Sequence, residues 1–553
     1  VWWRDGVCSN SPPLPILGCH SIDKKPVSGC VHKRRTVLLA DLKLGLPDIV
    51  THHDCIHNEY IALCNRHLVN KLPEPEWLTV QKEGVEFLQP SEPVWRDWTQ
   101  QDIMELRERV LIKWIDGRTV EKTTYLDEIQ KFSGAKRKAL HQAHHRNAWQ
   151  LPAGKVEAFI KVDYYEEKDM VKPPRMIQYR GPAYNLELAP WLGPAEELLL
   201  HGPGLGPTRL PSCSKGMKPL ERATTMMAKR YHFRDPVAVL MDYSAFDSTQ
   251  FAHLLEQEHR AWKRLCPGLN MGLLRAQLRN RCKTKNGLEY RAFGTRMSGD
   301  RNTGGGNSQC NVANFYTICE MLKIEAEFLC DGDDSVAWME REDAKKFLEL
   351  APLVIERVFG MILRDCTLVE HQDDEYYCHH KNILTKTGES LPTRDPVRVL
   401  TRLPWTPKGV RGAEAAELLL AKLVGEMIVN KHIPAMARYC KALAVKLLDI
   451  GVRQVTSQNV RTDLKNLEHR SGVAFDEYCW EHMDWVRDYE IEDDPIAETY
   501  VSRAFDLSPS FLVALDPTIV EFHPSLVKGA KKMRHIVSEQ VGCDMCDLSW
   551  NSR

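Results

Sequence analysis

Two acidic segments of the chain contain the side chains best suited to chemistry. An apolar run ends at Asp242, the first residue of a segment that continues to Asp247. Further on, two strand-like runs flank an Asp-Gly-Asp-Asp turn that contains Asp333 and Asp334. If these strands are neighbours in one sheet, the carboxylates of Asp242, Asp333 and Asp334 meet at one point.

Carboxylates this close repel one another unless cations neutralise them, and hard oxygen ligands of this kind select Mg²⁺, for which Mn²⁺ can substitute. Two such ions about 3.5–4 Å apart can activate an attacking 3′-hydroxyl and stabilise a departing pyrophosphate. These residue types therefore indicate nucleotidyl transfer. Taken alone, however, an aspartate-glycine turn is more often only a turn.

A polar, glycine-rich loop from Ser298 to Asn307 leads into a helical pattern. Its small residues let another group approach the backbone closely. Hydroxyl and amide side chains in the loop could hydrogen-bond the 2′-hydroxyl that distinguishes RNA from DNA. The alternative interpretation is a helix N-cap followed by flexible glycines.

A basic arm runs from Lys172 to Arg180 and is preceded by Lys161 and Lys168. Two prolines stiffen the arm, so its cations could bind a triphosphate at low conformational cost. The alternative is a charged loop that is simply solvated.

Hydrophobic patterns predict the elements that must position these segments. The predicted strands are 156–162, 237–241, 327–330 and 335–339, and the predicted helical stretches are 98–148, 251–265, a helix ending at 322, and 413–448. The first seventy residues are rich in Cys, His and Pro and lack sustained helical periodicity. They are expected to form an irregular segment that packs against something larger.

Composition sets broader limits. The 553 residues, 43% of them hydrophobic, suit one large multi-lobed domain or about three ordinary ones. The 74 basic and 75 acidic residues leave a net charge of -1, so any RNA-binding surface must be locally concentrated. The 17 cysteines show no disulfide framework, which favours a reducing cytosol. The chain starts at Val1, which indicates a fragment, a processed product or the downstream part of a longer translation product.

The order and spacing of these segments resemble the polymerases of positive-strand RNA viruses, most closely those of the tombusvirus-like group. The resemblance covers roughly residues 120 to 385. The segments that carry it are, in chain order, Phe132–Arg137, Lys172–Arg180, Ala183–Asn185, Asp242–Asp247, Ser298–Asn307 and Gly332–Asp334.

The resemblance implies a role for each matching side chain. Asp242 and Asp333 would bind both metal ions and Asp334 would support them, which makes these three the catalytic and metal-binding residues. Asp247 and Asn307 would sense the ribose 2′-hydroxyl. The other expected nucleotide-binding residues are Lys161, Lys168, Lys172, Arg175, Arg180, Ser298 and Thr303, and the expected RNA-binding residues are Lys136, Arg137 and Gly299.

The resemblance also implies an α+β fold shaped like a right hand, with fingers, a palm built on a small antiparallel sheet, and a helical thumb. The expected domains are 1–95, an N-terminal extension on fingers or thumb; 96–236, fingers; 237–250, palm; 251–295, an insertion between fingers and palm; 296–385, palm; and 386–553, thumb and C-terminal extension.

Two positions depart from the family pattern. The family usually has a lysine after its third motif as a candidate general acid, whereas this chain has Arg364. Arginine stays protonated and is a poor proton donor, so Arg364 would act only electrostatically or another residue would take the role. The segment that resembles a primer grip, Glu375 to Cys378, is a looser match.

The residues leave two other functions open. A reverse transcriptase would share the acidic site but prefer deoxyribonucleotides, and an inactive RNA-binding scaffold of a replication complex would not extend a primer. For the polymerase, the expected partners are RNA template and product, ribonucleoside triphosphates and other viral replication proteins. The expected location is the host cytoplasm, in a membrane-associated replication complex. The sequence has no run of 18 or more apolar residues, which argues against a spanning helix and leaves peripheral membrane association open.

Structural zinc is the less favoured use of the chain's cysteine and histidine clusters, because no spacing completes a zinc-finger pattern. The residues concerned are Cys30, His32, His52, His53, Cys55, His57, Cys64, Cys543 and Cys546. A basic stretch from Lys528 to Arg534 could contact RNA or an anionic membrane, although a solvated helix face is favoured.

Overall fold

A computed structural model describes residues 31–67, 98–132, 134–145, 155–407, 409–457, 460–461 and 477–528. Helices and strands are mixed along this part of the chain, and the two four-stranded sheets are mainly antiparallel. The expected α+β class is therefore confirmed. Across the described ranges, no helix is both long and apolar enough to cross a lipid bilayer.

The strands of the described residues are β1 Lys33–Arg35, β2 Val37–Leu38, β3 Ala40–Asp41, β4 Ile49–His52, β5 Lys155–Ile160, β6 Tyr165–Glu166, β7 Met176–Tyr179, β8 Pro236–Tyr243, β9 Arg279–Thr284, β10 Glu289–Phe293, β11 Glu327–Asp331, β12 Asp334–Glu340, β13 Leu363–Val369, β14 Lys381–Leu384, β15 Ser390–Thr393, β16 Trp405–Thr406 and β17 Glu521–Phe522. They form six small sheets. The strand order is β11-β12-β8-β13 in the central sheet, β10-β9-β5-β7 in the second sheet, β1-β4-β6 in a third, and β14-β15, β16-β2 and β17-β3 in three pairs.

The helices of the described residues are α1 Ile56–Ala62, α2 Gln100–Ile115, α3 Tyr125–Gln130, α4 Gly134–His145, α5 Pro182–Leu200, α6 Pro219–Arg230, α7 Ala252–Leu265, α8 Met271–Arg275, α9 Thr303–Leu322, α10 Arg341–Arg357, α11 Pro396–Arg402, α12 Gly412–Val429, α13 Pro434–Asp449, α14 Glu477–Glu481, α15 Pro495–Ala504 and α16 Pro509–Val513. Most begin with a recognisable signal: Thr99 caps α2 with a reciprocal capping box, and prolines occupy the first turn of α5, α6 and α13.

The central sheet is buried against helices. Strand β12 is apolar from Val336 to Met339, and these residues are fully buried. Side chains of β8, β11 and β12 form one hydrophobic core with residues of α2, α5, α7, α9 and α10. Because a strand buried on both faces has its position strongly determined by packing, the ends of these strands are held in fixed register.

A second hydrophobic core lies in the C-terminal part of the chain. It is built mainly by the antiparallel helices α12 and α13, whose apolar residues are almost all buried, together with residues of α15. The helical stretch predicted at 413–448 is thus observed as two helices, separated by a turn at Asn430–Ile433.

The N-terminal segment differs from its prediction. Its described part, 31–67, is not irregular: it contains four strands, helix α1 and a π-helical turn at Leu63–His67. The strands are two to four residues long, and most of them pair with partners more than a hundred residues away. A strand of two residues leaves no periodic pattern in a sequence, which is why the pattern predicted none.

Candidate active site

The central sheet brings the two acidic segments together. Strands β12 and β8 are antiparallel, with Ser335 opposite Met241. One further step of the same register sets Asp334 beside Asp242, at the end of the sheet where the β11–β12 hairpin turns. The neighbouring strands that the sequence analysis required are therefore observed.

Side chains of helix α9 hydrogen-bond the backbone of the hairpin turn. Gly332 has a φ of 69°, a left-handed conformation that glycine adopts without strain. Its amide donates to Ser308 Oγ (3.2 Å), and Asn311 Nδ2 donates to the carbonyl oxygens of Gly332 (3.0 Å) and Asp333 (3.3 Å). These bonds satisfy the turn's backbone and leave the side chains of Asp333 and Asp334 exposed.

The carboxylates of the site perturb one another. Desolvation, followed by the charges of Asp333 and Asp331, raises the pKa of Asp334 to about 6. Burial, opposed by a hydrogen bond from Asn307, raises the pKa of Asp247, and the charge of Asp333 acts in the same direction. Both shifts disfavour the ionised carboxylates, and a bound cation would offset that cost.

Replacement of Asp334 by asparagine tests the cost of holding a charged carboxylate at this position. The folded-state pKa of about 6 exceeds the ordinary value of 3.8, so ionised Asp334 lowers the free energy of unfolding above about pH 6 and has no such effect below about pH 4. Asp334→Asn should therefore raise the melting temperature of the metal-free protein by roughly 1–3 °C at pH 7.5 and leave it unchanged at pH 4. An unchanged or lower melting temperature at pH 7.5 would contradict the raised pKa of Asp334.

The candidate site contains side chains of the kind that bind divalent metal ions. Carboxylate oxygens such as those of Asp242, Asp333 and Asp334 are the donors that Mg²⁺ prefers. Yet within the described residues, no three Asp, Glu, His or Cys side chains converge closely enough to hold an ion. At Asp242, Oδ2 instead forms an ion pair with Arg364.

A buried polar network lies beside the carboxylates. Asn307 Nδ2 donates to Asp247 Oδ1 (2.8 Å), while Asn307 Oδ1 accepts from Gln250 Nε2 (2.8 Å) and from Arg296 Nε (3.0 Å). Arg296 is in turn ion-paired with Glu258, and both are almost fully buried. The amide of Asn307 is thereby fixed in one orientation, and it fixes Asp247.

The glycines in the first turn of α9 allow neighbouring side chains to pack closely against the helix backbone, and flexibility is not their role. A Cβ on Gly306 would collide with the carboxylate of Glu258, and a Cβ on Gly305 would lie 2.8 Å from Glu196 Oε1. The N-cap alternative is not observed either, because the side chain of Asn302, the residue at the cap position, makes no capping bond and instead donates to Glu258 Oε1 (2.8 Å).

The loop before α9 is joined to strand β7. Ser298 Oγ accepts from the Gln178 amide (3.1 Å), and the Gly299 amide donates to the Gln178 carbonyl oxygen (2.7 Å). Thr303 Oγ1 donates to the Met297 carbonyl oxygen (2.8 Å). Ser298, Gly299 and Thr303 thus brace the loop, and they connect it to the basic arm that β7 continues.

The five basic side chains predicted to bind nucleotide have different surroundings from one another. Arg175 faces the acidic cluster, since its charge acts on Asp334 and Asp247. Lys161 lies next to Arg175: its amide donates to the Arg175 carbonyl oxygen (2.8 Å), and both side chains lie within 4 Å of Asp163.

The other three have partners of their own. Lys168 and Lys172 are exposed and pair with Glu166 and Asp169, while Arg180 is buried and ion-paired with Asp300. The structure therefore places Arg175 near the carboxylates and Lys161 beside Arg175, whereas Arg180 is buried in its pair with Asp300.

Lys136 and Arg137 occupy the first turn of α4 and are exposed. The Lys136 ammonium lies 4.0 Å from the centre of the Phe132 ring. Partial desolvation of its amine beside this ring, with a contribution from the charge of Arg301, lowers the pKa of Lys136. Lys136 and Arg137 are thus exposed positive charges, and Lys136 lies within electrostatic reach of Arg301 in the polar loop.

Arg66 was missed by the sequence analysis. It lies in the π-helical turn of the N-terminal segment, where burial and the nearby charge of Arg175 lower its pKa and where it is also within electrostatic reach of Asp247. Its neighbour His67 fixes the turn: burial lowers the pKa of His67 to about 3, and its neutral Nε2 accepts from the Met176 amide (2.9 Å). No local motif surrounds Arg66, so only the tertiary structure reveals it.

Three residues of the cysteine and histidine group in the N-terminal segment lie close together. Cys55 Sγ lies 3.4 Å from His32 Nδ1, and the rings of His32 and His57 stack with centroids 4.4 Å apart. His52, His53 and Cys64 do not complete a metal-binding group with them in the described part of the chain. Cys30, Cys543, Cys546 and the stretch from 529 to 534 lie outside the described residues.

Comparison with known proteins identifies the class to which this fold and site belong. The model of the family described as "Viral RNA dependent RNA polymerase" matches residues 51–483, so the chain belongs to that family. The resemblance inferred from the motifs is confirmed.

Individual relatives are viral proteins named RNA-directed RNA polymerase. The chain is 27% identical over 342 residues to that of Red clover necrotic mosaic virus, covering 60% of this chain and 43% of the relative. It is 34% identical over 224 residues to that of Oat chlorotic stunt virus (38% and 29%), and 33% identical over 202 residues to that of Tomato bushy stunt virus (35% and 24%). The matches thus span less than half the length of these relatives.

Proposed function

We propose that this chain is an RNA-directed RNA polymerase that copies a viral RNA from ribonucleoside triphosphates. The observation that carries the proposal is the register of the central sheet, which sets Asp334 beside Asp242 and leaves the hairpin carboxylates exposed at one strand end. Family membership and the names of the relatives support the same activity.

The proposed arrangement is that of a right hand. The central sheet with its hairpin forms the palm, 237–250 and 296–385, and the second sheet with α2 to α6 belongs to the fingers, 96–236 with the insertion 251–295. The helical core around α12 and α13 forms the thumb within 386–553. The N-terminal extension, 1–95, packs on fingers and thumb through the strand pairs of its described part.

In the proposed mechanism, Asp242 and Asp333 bind two divalent cations and Asp334 supports them. When bound, Mg²⁺ ions lower the pKa of the attacking 3′-hydroxyl and stabilise the charge that develops on the pyrophosphate. Arg175 and Lys161 hold the incoming triphosphate opposite the carboxylates, and Arg66 adds a third cation from the N-terminal segment. Positioning and charge neutralisation of this kind account for most of the catalysis in phosphoryl transfer.

Sugar selection is assigned to Asp247 and Asn307. Asn307 donates to Oδ1 of Asp247 and so fixes the orientation of this carboxylate. Oδ2 would then accept a hydrogen bond from a ribose 2′-hydroxyl. A deoxyribonucleotide would leave that oxygen without its donor, and an unmet hydrogen bond to a charged group costs about 1.5–3 kcal/mol.

Asn307→Ala is accordingly expected to reduce the preference for ribonucleotides over deoxyribonucleotides by about 10- to 100-fold, measured as the ratio of kcat/KM values in single-nucleotide incorporation. The matched control is Asn286→Ala, because Asn286 bonds Asp54 and Glu59 in an exposed turn and should leave the ratio unchanged. Equal ratios in wild type and Asn307→Ala would remove Asn307 from the selection of the sugar.

The experiment that tests the activity incubates the purified chain with a single-stranded RNA, a primer, the four ribonucleotides and Mg²⁺ or Mn²⁺. Template-dependent RNA product is expected. Product only from deoxyribonucleotides would indicate a reverse transcriptase, and RNA binding without product would indicate a scaffold. Comparing product length with template length, with and without primer, distinguishes new initiation from extension of a 3′-end.

A further inference from the structure

Strand β13 carries an irregularity at the edge of the acidic site. Leu363 pairs with Tyr243 of β8, but the next paired residue, opposite Asp242, is Asp365. Arg364 lies at this shift of register, and it and Asp365 are two consecutive exposed residues in a strand that otherwise alternates there. Such a β-bulge redirects a side chain away from the regular pleat, and bulges are enriched beside active sites.

The redirected guanidinium joins two carboxylates. Arg364 forms an ion pair with Asp242 Oδ2 through Nη2, and its Nε donates to Asp365 Oδ2 (3.1 Å). Asp242 and Asp365 are directly opposite each other across the two strands, a position at which like charges destabilise a sheet. Arg364 removes that conflict by placing one positive charge between them.

This contact engages one of the carboxylates proposed to hold divalent ions. A carboxylate oxygen that accepts from a guanidinium has fewer lone pairs left for a cation, and the positive charge of the arginine opposes the approach of another cation, so the contact weakens cation binding at Asp242. An arginine cannot leave by losing its proton, because its pKa lies far above any working pH. It can leave only by moving, and Asp365 offers an anionic partner on the side away from Asp242.

We propose that Arg364 is a built-in counter-cation of the acidic site, which competes with divalent ions for Asp242 and is displaced onto Asp365 when they bind. The proposal rests on the proposed function for the identity of the site, and it adds a residue pair that regulates its metal affinity. Arg364 is a positioning residue in this scheme and transfers no proton.

The test measures Mn²⁺ binding to the full nucleotide-free chain, by the loss of the free Mn²⁺ signal in electron paramagnetic resonance. Arg364→Gln should bind Mn²⁺ about fivefold more tightly than wild type, the size expected when an exposed ion pair no longer competes. Asp365→Asn should bind it more weakly, because Arg364 then has only Asp242 as its partner. In the double variant the effect of Asp365→Asn should be smaller, since there is no arginine left to displace and only the loss of the Asp365 charge remains.

Arg341→Gln is the matched control. Arg341 also joins two exposed carboxylates, Asp235 and Glu370, near the opposite ends of the same strands, and its loss should not change Mn²⁺ affinity. Equal affinities of wild type and Arg364→Gln, or the same gain in Arg341→Gln, would overturn the proposal. Because binding is measured without RNA synthesis, a difference in affinity between the variants can be established even if the chain polymerises nothing, so failure of this proposal is distinguishable from failure of the proposed function.

Discussion

Replacement of Asp333 by alanine is expected to reduce RNA synthesis by about 10³-fold or more while the protein remains folded. The metal ions of a two-metal site contribute several kcal/mol of transition-state stabilisation, and each ~1.4 kcal/mol corresponds to a factor of ten in rate. Asp333 is exposed at a hairpin tip whose backbone bonds come from Ser308 and Asn311, so removing its side chain leaves those bonds intact. Primer extension with an end-labelled RNA measures the rate.

Asp331→Asn is the control for this variant. Asp331 is exposed in the same hairpin, at the position that pairs with Asp334, but it is not among the proposed metal ligands. Its replacement should change the rate by less than about tenfold, because only a neighbouring charge is lost. A folded Asp333→Ala protein, judged by an unchanged circular dichroism spectrum, that polymerises at the rate of Asp331→Asn would refute the assignment of the site.

Replacement of Lys229 by methionine is expected to lower the free energy of unfolding by about 3–5 kcal/mol, more than any other substitution proposed for this chain. Lys229 on α6 and Glu327 at the start of β11 form an ion pair in which both side chains are fully buried. Glu327 also accepts from the Thr208 amide (2.6 Å), and Lys229 also donates to the Leu210 carbonyl oxygen (3.2 Å). Removing the lysine leaves a buried carboxylate whose charge nothing neutralises.

Thermal unfolding followed by circular dichroism measures the effect. Adding Glu327→Gln to Lys229→Met should recover most of the loss, because glutamine removes the charge and can still accept from Thr208. Lys345→Met is the matched control, since Lys345 pairs with Glu342 on an exposed helix face and such pairs contribute about 0–1 kcal/mol. A melting temperature of Lys229→Met equal to that of Lys345→Met would show that the buried pair does not stabilise the fold.

Local patterns predicted the centre of the molecule well. The hairpin expected at 327–330 and 335–339 is observed as β11 and β12, and the helix expected at 251–265 is observed as Ala252–Leu265. Both depend on information within a few residues: continuous apolar runs, a glycine where the turn needs a positive φ, and helical spacing of apolar side chains. The meeting of Asp242 with the hairpin could be stated only as a condition, because register between distant strands is decided by packing.

The surroundings of the site were less predictable for the same reason. Arg180 stands in a basic run that suggests a triphosphate site, yet its guanidinium is buried against Asp300, 120 residues later in the chain. Arg66 stands in no basic run and nevertheless lies near Asp247. Charge in a sequence reveals neither the burial of a side chain nor the partner it meets, and both depend on the complete tertiary structure.

The short strands of the N-terminal segment have a consequence for the order of folding. Strand β2 pairs with β16, and β3 pairs with β17. Beside these pairs, the Leu39 amide donates to the Pro404 carbonyl oxygen, and the His523 amide donates to the Leu39 carbonyl oxygen. Ribosomes add residues one after another, and β3 must wait until residues 521 and 522 have emerged before it acquires a partner. Strand β3 is thus completed late in synthesis, and a polypeptide truncated before residue 521 would have an unpaired β3 edge.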